Sequence, residues 1–121
     1  MYVNRQTVAL TTNGSGAATG YTEPVNGRVL EIVYVKTDFA DGSTMTVTGN
    51  TTSTPIWAES AVNASATRAP RQATHGTTGT AATYDATRPV LDYIPIADER
   101  IKIVIASGGD TKTGTFYITV G

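Results

Sequence analysis

His75 is the one imidazole in the chain, and there is no cysteine. Nucleophilic catalysis of the Ser-His-Asp kind needs a base to activate the hydroxyl and a carboxylate to orient that base. His75 sits instead in an Ala/Thr/Gly tract, His75-Gly76-Thr77-Thr78-Gly79, without a nucleophile-elbow motif. Imidazole-centred zinc catalysis takes two or three His, which this chain lacks. Asp38, Asp41 and Asp110 all fall in predicted turns, where a short carboxylate bonds nearby backbone N–H groups. Asp38-x-x-Asp41-Gly42 supplies only part of the six to eight oxygen donors that calcium takes. Asp98 and Glu99 are neighbours, so on an extended chain their carboxylates face opposite ways and a turn or local ion pair with Arg100 is the better reading. Gly14-x-Gly16 and Gly108-Gly109 have no following helix to aim N–H groups at a phosphate, and read as hairpin glycines. The residue chemistry argues against an enzyme and calls for no cofactor or metal.

What remains is recognition. From about Ser60 to Arg88 runs a long Ala/Thr/Gly tract with few apolar anchors and no Lys, holding Arg68, Arg71, His75 and Arg88, and no carboxylate before Asp85. Loops longer than about 12–15 residues are uncommon inside compact domains unless they bind, act as lids or lack order. Arginine is enriched and lysine depleted at protein interfaces. Its planar fork suits carboxylates on a partner, or a phosphate or carbohydrate ligand, and Pro70 and Pro89 stiffen the chain beside Arg71 and Arg88. Arg68, Pro70, Arg71, His75 and Arg88 are therefore the candidate partner-contacting residues, on a loop expected to order when it binds.

Composition bounds the partner. The chain has 121 residues, a formal net charge of -1 and a pI near 5.7. That length fits one domain spanning 1–121 with one core. The charge balance supplies no long-range field to draw in nucleic acid or an anionic membrane. No apolar run approaches the roughly 18 residues of a membrane-spanning helix. The N-terminus, Met1-Tyr2-Val3-Asn4-Arg5, lacks the pattern of a secretory signal, so the protein is expected to stay in the cell that makes it. Asn13-Gly14-Ser15, Asn50-Thr51-Thr52 and Asn63-Ala64-Ser65 match the glycan acceptor triplet but are read as turns.

The elements that must carry the loop are strands. Thr, Val and Ile are plentiful and helix formers scarce, which favours pleated sheet. A first strand is predicted over Tyr2–Thr11, closed by Asn13-Gly14-Ser15-Gly16 as a hairpin or short loop. Arg28–Lys36 is the strongest strand, with Leu30, Ile32 and Tyr34 on one face and Val29, Val33 and Val35 on the other, both largely buried. The Asp41-Gly42 signal then predicts a hairpin into Thr44–Thr48. Ile56–Glu59 is a short strand whose lone Trp57 is an anchor, and Pro95 pushes Val90–Ile96 toward an edge or a bulge. Ile101–Ala106 and Thr115–Val120, separated by Ser107-Gly108-Gly109-Asp110, are the clearest pair. The predicted fold is an all-β antiparallel β-sandwich, jelly-roll-like, of roughly seven to eight strands with one long loop at about 60–88.

Three stretches carry a resemblance: Gly27–Lys36 with Thr37-Asp38-Phe39-Ala40-Asp41-Gly42, then Asn63–Arg71, then Ile96–Lys102. On these the chain resembles small virion structural proteins of tailed bacteriophages, most of all capsid decoration or cement proteins. The resemblance implies a sandwich subunit made in the host cytoplasm without a signal peptide. It also implies binding to the outer face of the major capsid protein shell, which the subunit reinforces at the capsid surface as a dimer or trimer. A tail or head-tail component of the virion is the nearest alternative. A carbohydrate-binding, adhesin-like module is the more distant one, and there Trp57, Tyr84 and Tyr93 are the aromatic platforms available for sugar stacking.

Overall fold

The computed structural model describes residues 3–121; Tyr2, assigned by pattern to the first strand, lies outside them. The described residues form eleven strands and no helix. They are β1 Asn4–Thr11, β2 Ala18–Tyr21, β3 Val25–Lys36, β4 Ser43–Gly49, β5 Pro55–Val62, β6 Ala66–Arg68, β7 Gln72–Ala73, β8 Leu91–Asp92, β9 Ile94–Glu99, β10 Ile101–Ala106 and β11 Thr113–Val120. One sheet runs β1-β11-β3-β6 with β9 also on β3, a second runs β2-β10-β4-β5, and β7 pairs with β8 alone. The protein is an all-β antiparallel sandwich. The count exceeds the seven to eight expected because four strands are only two to four residues long, too short to show as periodicity.

Period-2 alternation builds the core. Ile101, Ile103 and Ile105 of β10 point inward beside Met45 and Val47 of β4, with Ile103 opposite Val47 and Ile105 opposite Met45. Phe116, Ile118 and Val120 of β11 supply the other sheet's inner face. Each such side chain taken out of water contributes about 1.5–3 kcal/mol. Trp57 is buried in this core.

β3 is central as predicted, but its faces are not those of a regular strand. Its register with β11 shifts between Thr119 and Val120, so that Thr119 faces Glu31 while Val120 faces Val29. The extra residue, Leu30, reverses the alternation. Val29, Ile32 and Tyr34 therefore share the buried face, while Leu30 and Val33 are half-buried and Val35 is 41% exposed. Only one face of β3 is core.

The three predicted hairpin turns are not hairpins. β1 and β2 belong to different sheets, as do β3 and β4, and as do β10 and β11. The segments 12–17, 37–42 and 107–112 are corners that carry the chain across the sandwich, and they bind one another at one end of it. Gly108 N–H donates to the Gly16 carbonyl at 2.9 Å, and Ala40 N–H to the Gly108 carbonyl at 2.9 Å. Thr12 Oγ1 donates to the Gly109 carbonyl at 2.6 Å and accepts from Lys112 N–H at 2.8 Å. Asp38 Oδ1 accepts from Thr113 N–H at 2.6 Å, which holds its carboxyl below the usual range. Phe39, read from sequence as a turn residue, is buried in the core against Tyr34, and a Cβ at Gly114 would sit 2.6 Å from its ring. A Gly-Asp reversal looks the same locally whether the chain returns to its own sheet or to the facing one.

At the opposite end β4 and β5 do form a hairpin, through Asn50–Thr54. Glu99 organises it: buried at the end of β9, its carboxylate accepts from Thr51 N–H at 2.9 Å and from Thr52 N–H at 3.1 Å. These bonds, that of the Thr52 N–H first, keep the carboxyl below its ordinary range. Asp98 and Glu99 are thus the last residues of β9 and not a turn-forming pair: Glu99 braces the distant β4–β5 turn, while Asp98 N–H donates to Asn26 Oδ1 at 2.8 Å.

Candidate functional site

The sandwich positions one feature that it does not need. The 60–88 segment begins as sheet, since β5 runs on to Val62 and β6 pairs with Ile32–Tyr34 of β3. It then leaves the body as an arm. β7 pairs with β8 at the arm's base, with Gln72 opposite Asp92 and Ala73 opposite Leu91. Above them Thr74 N–H donates to the Val90 carbonyl (2.9 Å), Ala82 N–H to the Thr74 carbonyl (2.9 Å), and Val90 N–H to the Ala82 carbonyl (3.0 Å). Three passes of chain are closed into a ring, each bonded to the next. Gly76 N–H to the Thr80 carbonyl closes one reversal, and Tyr84 N–H to the Arg88 carbonyl closes the other.

No residue from Gln72 to Asp92 is buried. Small Ala, Thr and Gly side chains let three backbones approach without a core, so the arm is held mainly by main-chain bonds, with Thr74 Oγ1 adding a bond to the Val90 carbonyl at 3.1 Å. The loop expected to order on binding is already ordered by itself. Its apolar groups face solvent: Tyr84 is 75% exposed and Leu91 52%.

The five candidate residues fall in three places. Arg68, on β6, is engaged within the chain, its Nε 2.9 Å from Glu59 Oε1 and its Nη2 3.0 Å from Glu59 Oε2. Trp57 Nε1 also donates to Glu59, at 3.1 Å, and the Arg68 guanidinium lies 6.0 Å from the Trp57 ring centre. Arg68 first and Trp57 second hold the Glu59 carboxyl below its usual range, and Glu59 in turn raises Arg68. Because Glu59 is on β5 and Arg68 on β6, this fork ties the two sheets together at their open side. Beside it lies a concavity of about 420 Å³, lined by Glu59, Arg68 and the small residues between Ala61 and Thr67. Its charges are spent on each other.

Pro70 and Arg71 form the root of the arm, both half-buried. Arg71 Nη1 donates to the Pro70 carbonyl at 2.8 Å and to the Leu30 carbonyl at 3.3 Å, and its guanidinium stacks 4.1 Å from the Tyr93 ring centre. Arg28 packs over the same ring at 4.8 Å. Guanidiniums on an aromatic face are favourable and orient the ring. Here they fix the direction in which the arm departs, using the carbonyl that the β3 bulge frees at Leu30.

His75 and Arg88 are on the arm itself and exposed. His75 bridges to Ala81 through its backbone. Arg88 Nε is 2.9 Å from Asp85 Oδ2, while Asp85 Oδ1 accepts from the N–H groups of Thr87 and Arg88, both at 2.8 Å. The bond from Thr87 N–H first, then those from Arg88, pull the Asp85 carboxyl down to about 2. This is an Asx-type turn at the tip, which the Asp85-Ala86-Thr87-Arg88 spacing carries in the sequence. Glu59 and Tyr93 are the partners that sequence reasoning missed, and no local signal marks them, because each is brought to its arginine by strand order.

Of the three aromatic platforms, Trp57 is buried and bonded to Glu59, and Tyr93 is covered by two guanidiniums. Tyr84 alone presents a free face. Among the described residues no three His, Cys, Asp or Glu side chains gather to hold a metal ion, and no helix is long and apolar enough to cross a membrane. Comparison with protein-family models, curated proteins and solved structures returned no match.

Proposed function

We propose that this chain is a virion structural protein of a tailed bacteriophage, a decoration or cement subunit that binds the outer surface of the major capsid protein shell and stabilises it. The observation that carries the reading is the arm from Gln72 to Asp92, ordered by its own backbone yet without one buried residue. An excursion that adds nothing to its own core is suited to being buried against another chain. Prior order matters for affinity, since fixing a flexible backbone costs about 1–2 kcal/mol per residue. Tyr84 and Leu91 are its apolar contacts, His75 and Arg88 its polar ones, and Arg68, Pro70 and Arg71 hold the root at a set angle. Repetition over a shell makes modest contacts sufficient. The role is structural, without catalysis, at the capsid surface, in a homo-oligomer, and with neither nucleic acid nor a membrane as partner.

The test is an arm-deleted variant in which a short Gly-Ser bridge joins Thr74 to Val90, already linked by a 2.9 Å backbone bond. Wild type and variant are co-sedimented with undecorated capsids and, in parallel, with isolated tails. Saturable capsid binding by wild type, lost in the variant at an unchanged melting temperature, supports the proposal. Binding to tails alone moves the protein to a tail role. Binding to neither, or capsid binding without the arm, refutes it.

A further inference from the structure

Each sheet of the sandwich has two edges, and three of the four are blunted. β2 is four residues long and Pro24 follows it closely. β5 opens on Pro55, shifts register twice against β4, and holds Ala61 at a φ of 55°. The far edge of the larger sheet is divided between β6, three residues ending near Pro70, and β9, which contains Pro95. Short strands, prolines and bulges are the means by which sheet proteins prevent edge-to-edge pairing.

β1 has none of them. Its eight residues run from Asn4 to Thr11 in unbroken register with β11, without Pro, Gly, Lys or an acidic residue, and among the described residues β11 is its only sheet partner. Val8 and Leu10 point inward, where Gly20 of β2 leaves room for them: a Cβ at Gly20 would collide with Leu10 and come within 2.9 Å of Val8. β2 therefore packs against the face of β1. Arg5, Thr7, Ala9 and Thr11 line the outward side, with Arg5 lying 5.7 Å from the ring centre of Tyr117.

We infer that β1 is a self-pairing edge: two copies of this chain join antiparallel along β1, across a twofold axis perpendicular to the sheet, with Thr7 facing Thr7. The twofold requires some residue of the strand to oppose its own copy. Placing that residue at Thr7 engages Val3 as well, opposite Thr11 of the second copy, and so covers a valine that is 63% exposed. The charge pattern fits an antiparallel pair and not a parallel one. Arg5 then opposes Ala9, and the two Arg5 side chains stand four residues apart along the strand, roughly 14 Å. That exceeds the screening length of about 8 Å in physiological salt. Parallel pairing sets the two like charges side by side, which is unfavourable. The joined sheet keeps both cores on one side and both arms clear of the seam. This inference goes beyond the capsid reading and does not depend on it.

The test is made in free solution, without capsids. Light-scattering mass is measured over a concentration series for wild type, Thr7→Lys and Thr7→Glu, with far-UV circular dichroism to confirm that the exposed substitutions leave the fold intact. The expected result is a two-copy mass for wild type, a one-copy mass for each variant at the same concentration, and restoration of the two-copy mass on mixing the variants in equal amounts. Since the chain has no cysteine, Thr7→Cys is expected to give one disulfide-linked dimer on oxidation. A wild-type protein of one-copy mass throughout, or an oligomer that both charged variants leave intact, overturns the inference. Cross-linking by Ala9→Cys and not by Thr7→Cys overturns the register.

Discussion

Replacing Tyr34 by Phe isolates one atom in the centre of the sandwich. Tyr34 is fully buried, its ring 5.0 Å from Phe116 and 6.0 Å from Phe39, and its hydroxyl has no hydrogen-bond partner among the described residues. Burial pushes the phenol up from 10.0 to about 12. A buried polar group left unpaired costs about 1–3 kcal/mol, set against the few dispersion contacts that its oxygen makes. Tyr34→Phe keeps both ring stacks and removes that cost, so it is expected to stabilise the fold by about 1 kcal/mol, a rise of roughly 3–5 °C in melting temperature. The alkaline limb provides a second readout. The folded state holds the phenol neutral, so its contribution is complete below pH 10 and is lost as pH rises from 10 toward 12, where the unfolded chain ionises first. Urea titrations at pH 7 and pH 11 are therefore expected to show a larger gap between variant and wild type at pH 11. A variant about 1 kcal/mol less stable at pH 7 would mean that the hydroxyl is bonded, and equal alkaline losses would mean that Tyr34 does not titrate with folding; either result refutes the reasoning.

Two further perturbations probe the body. Phe39→Ala empties a ring-sized space between Tyr34 and Gly114, and is expected to cost about 3–5 kcal/mol with an unchanged denaturant slope; a loss below about 1 kcal/mol would show that the corner carries no core contact. Ile103→Asp puts an unpaired charge opposite Val47 in the middle of the four-stranded sheet, so a loss of more than about 4 kcal/mol, or no folded protein, is expected in circular dichroism, and unfolding like that of wild type would place Ile103 elsewhere.

The alternation of β10 and β11 was readable because both strands keep one face buried along their whole length. The edge position of β9 was signalled by Pro95, and the turn at Asn13 by its side chain. The misread features share a cause. The bulge at Leu30 changes which valines of β3 are core, and it arises from register with β11, almost ninety residues on. The corners at 12–17, 37–42 and 107–112 carry turn residues indistinguishable from those of hairpins, and only the sheet to which the chain returns separates the two. Arg68 and Arg71 looked like free charge because Glu59 and Tyr93 reach them through strand order.

The sequence by itself determined an all-β chain, a small-residue tract set between well-patterned strands, and a first strand free of prolines and acids. These are properties of residue type and short-range spacing, which act before any long-range contact forms. Tertiary structure alone decided that the tract is a self-bonded arm, that its root arginines are engaged within the chain while the arm's surface stays open, and that β1 is the edge left unprotected. Whether a backbone group is paired, or a charge spent, depends on which distant strand lies beside it, and that is a property of the assembled sheets.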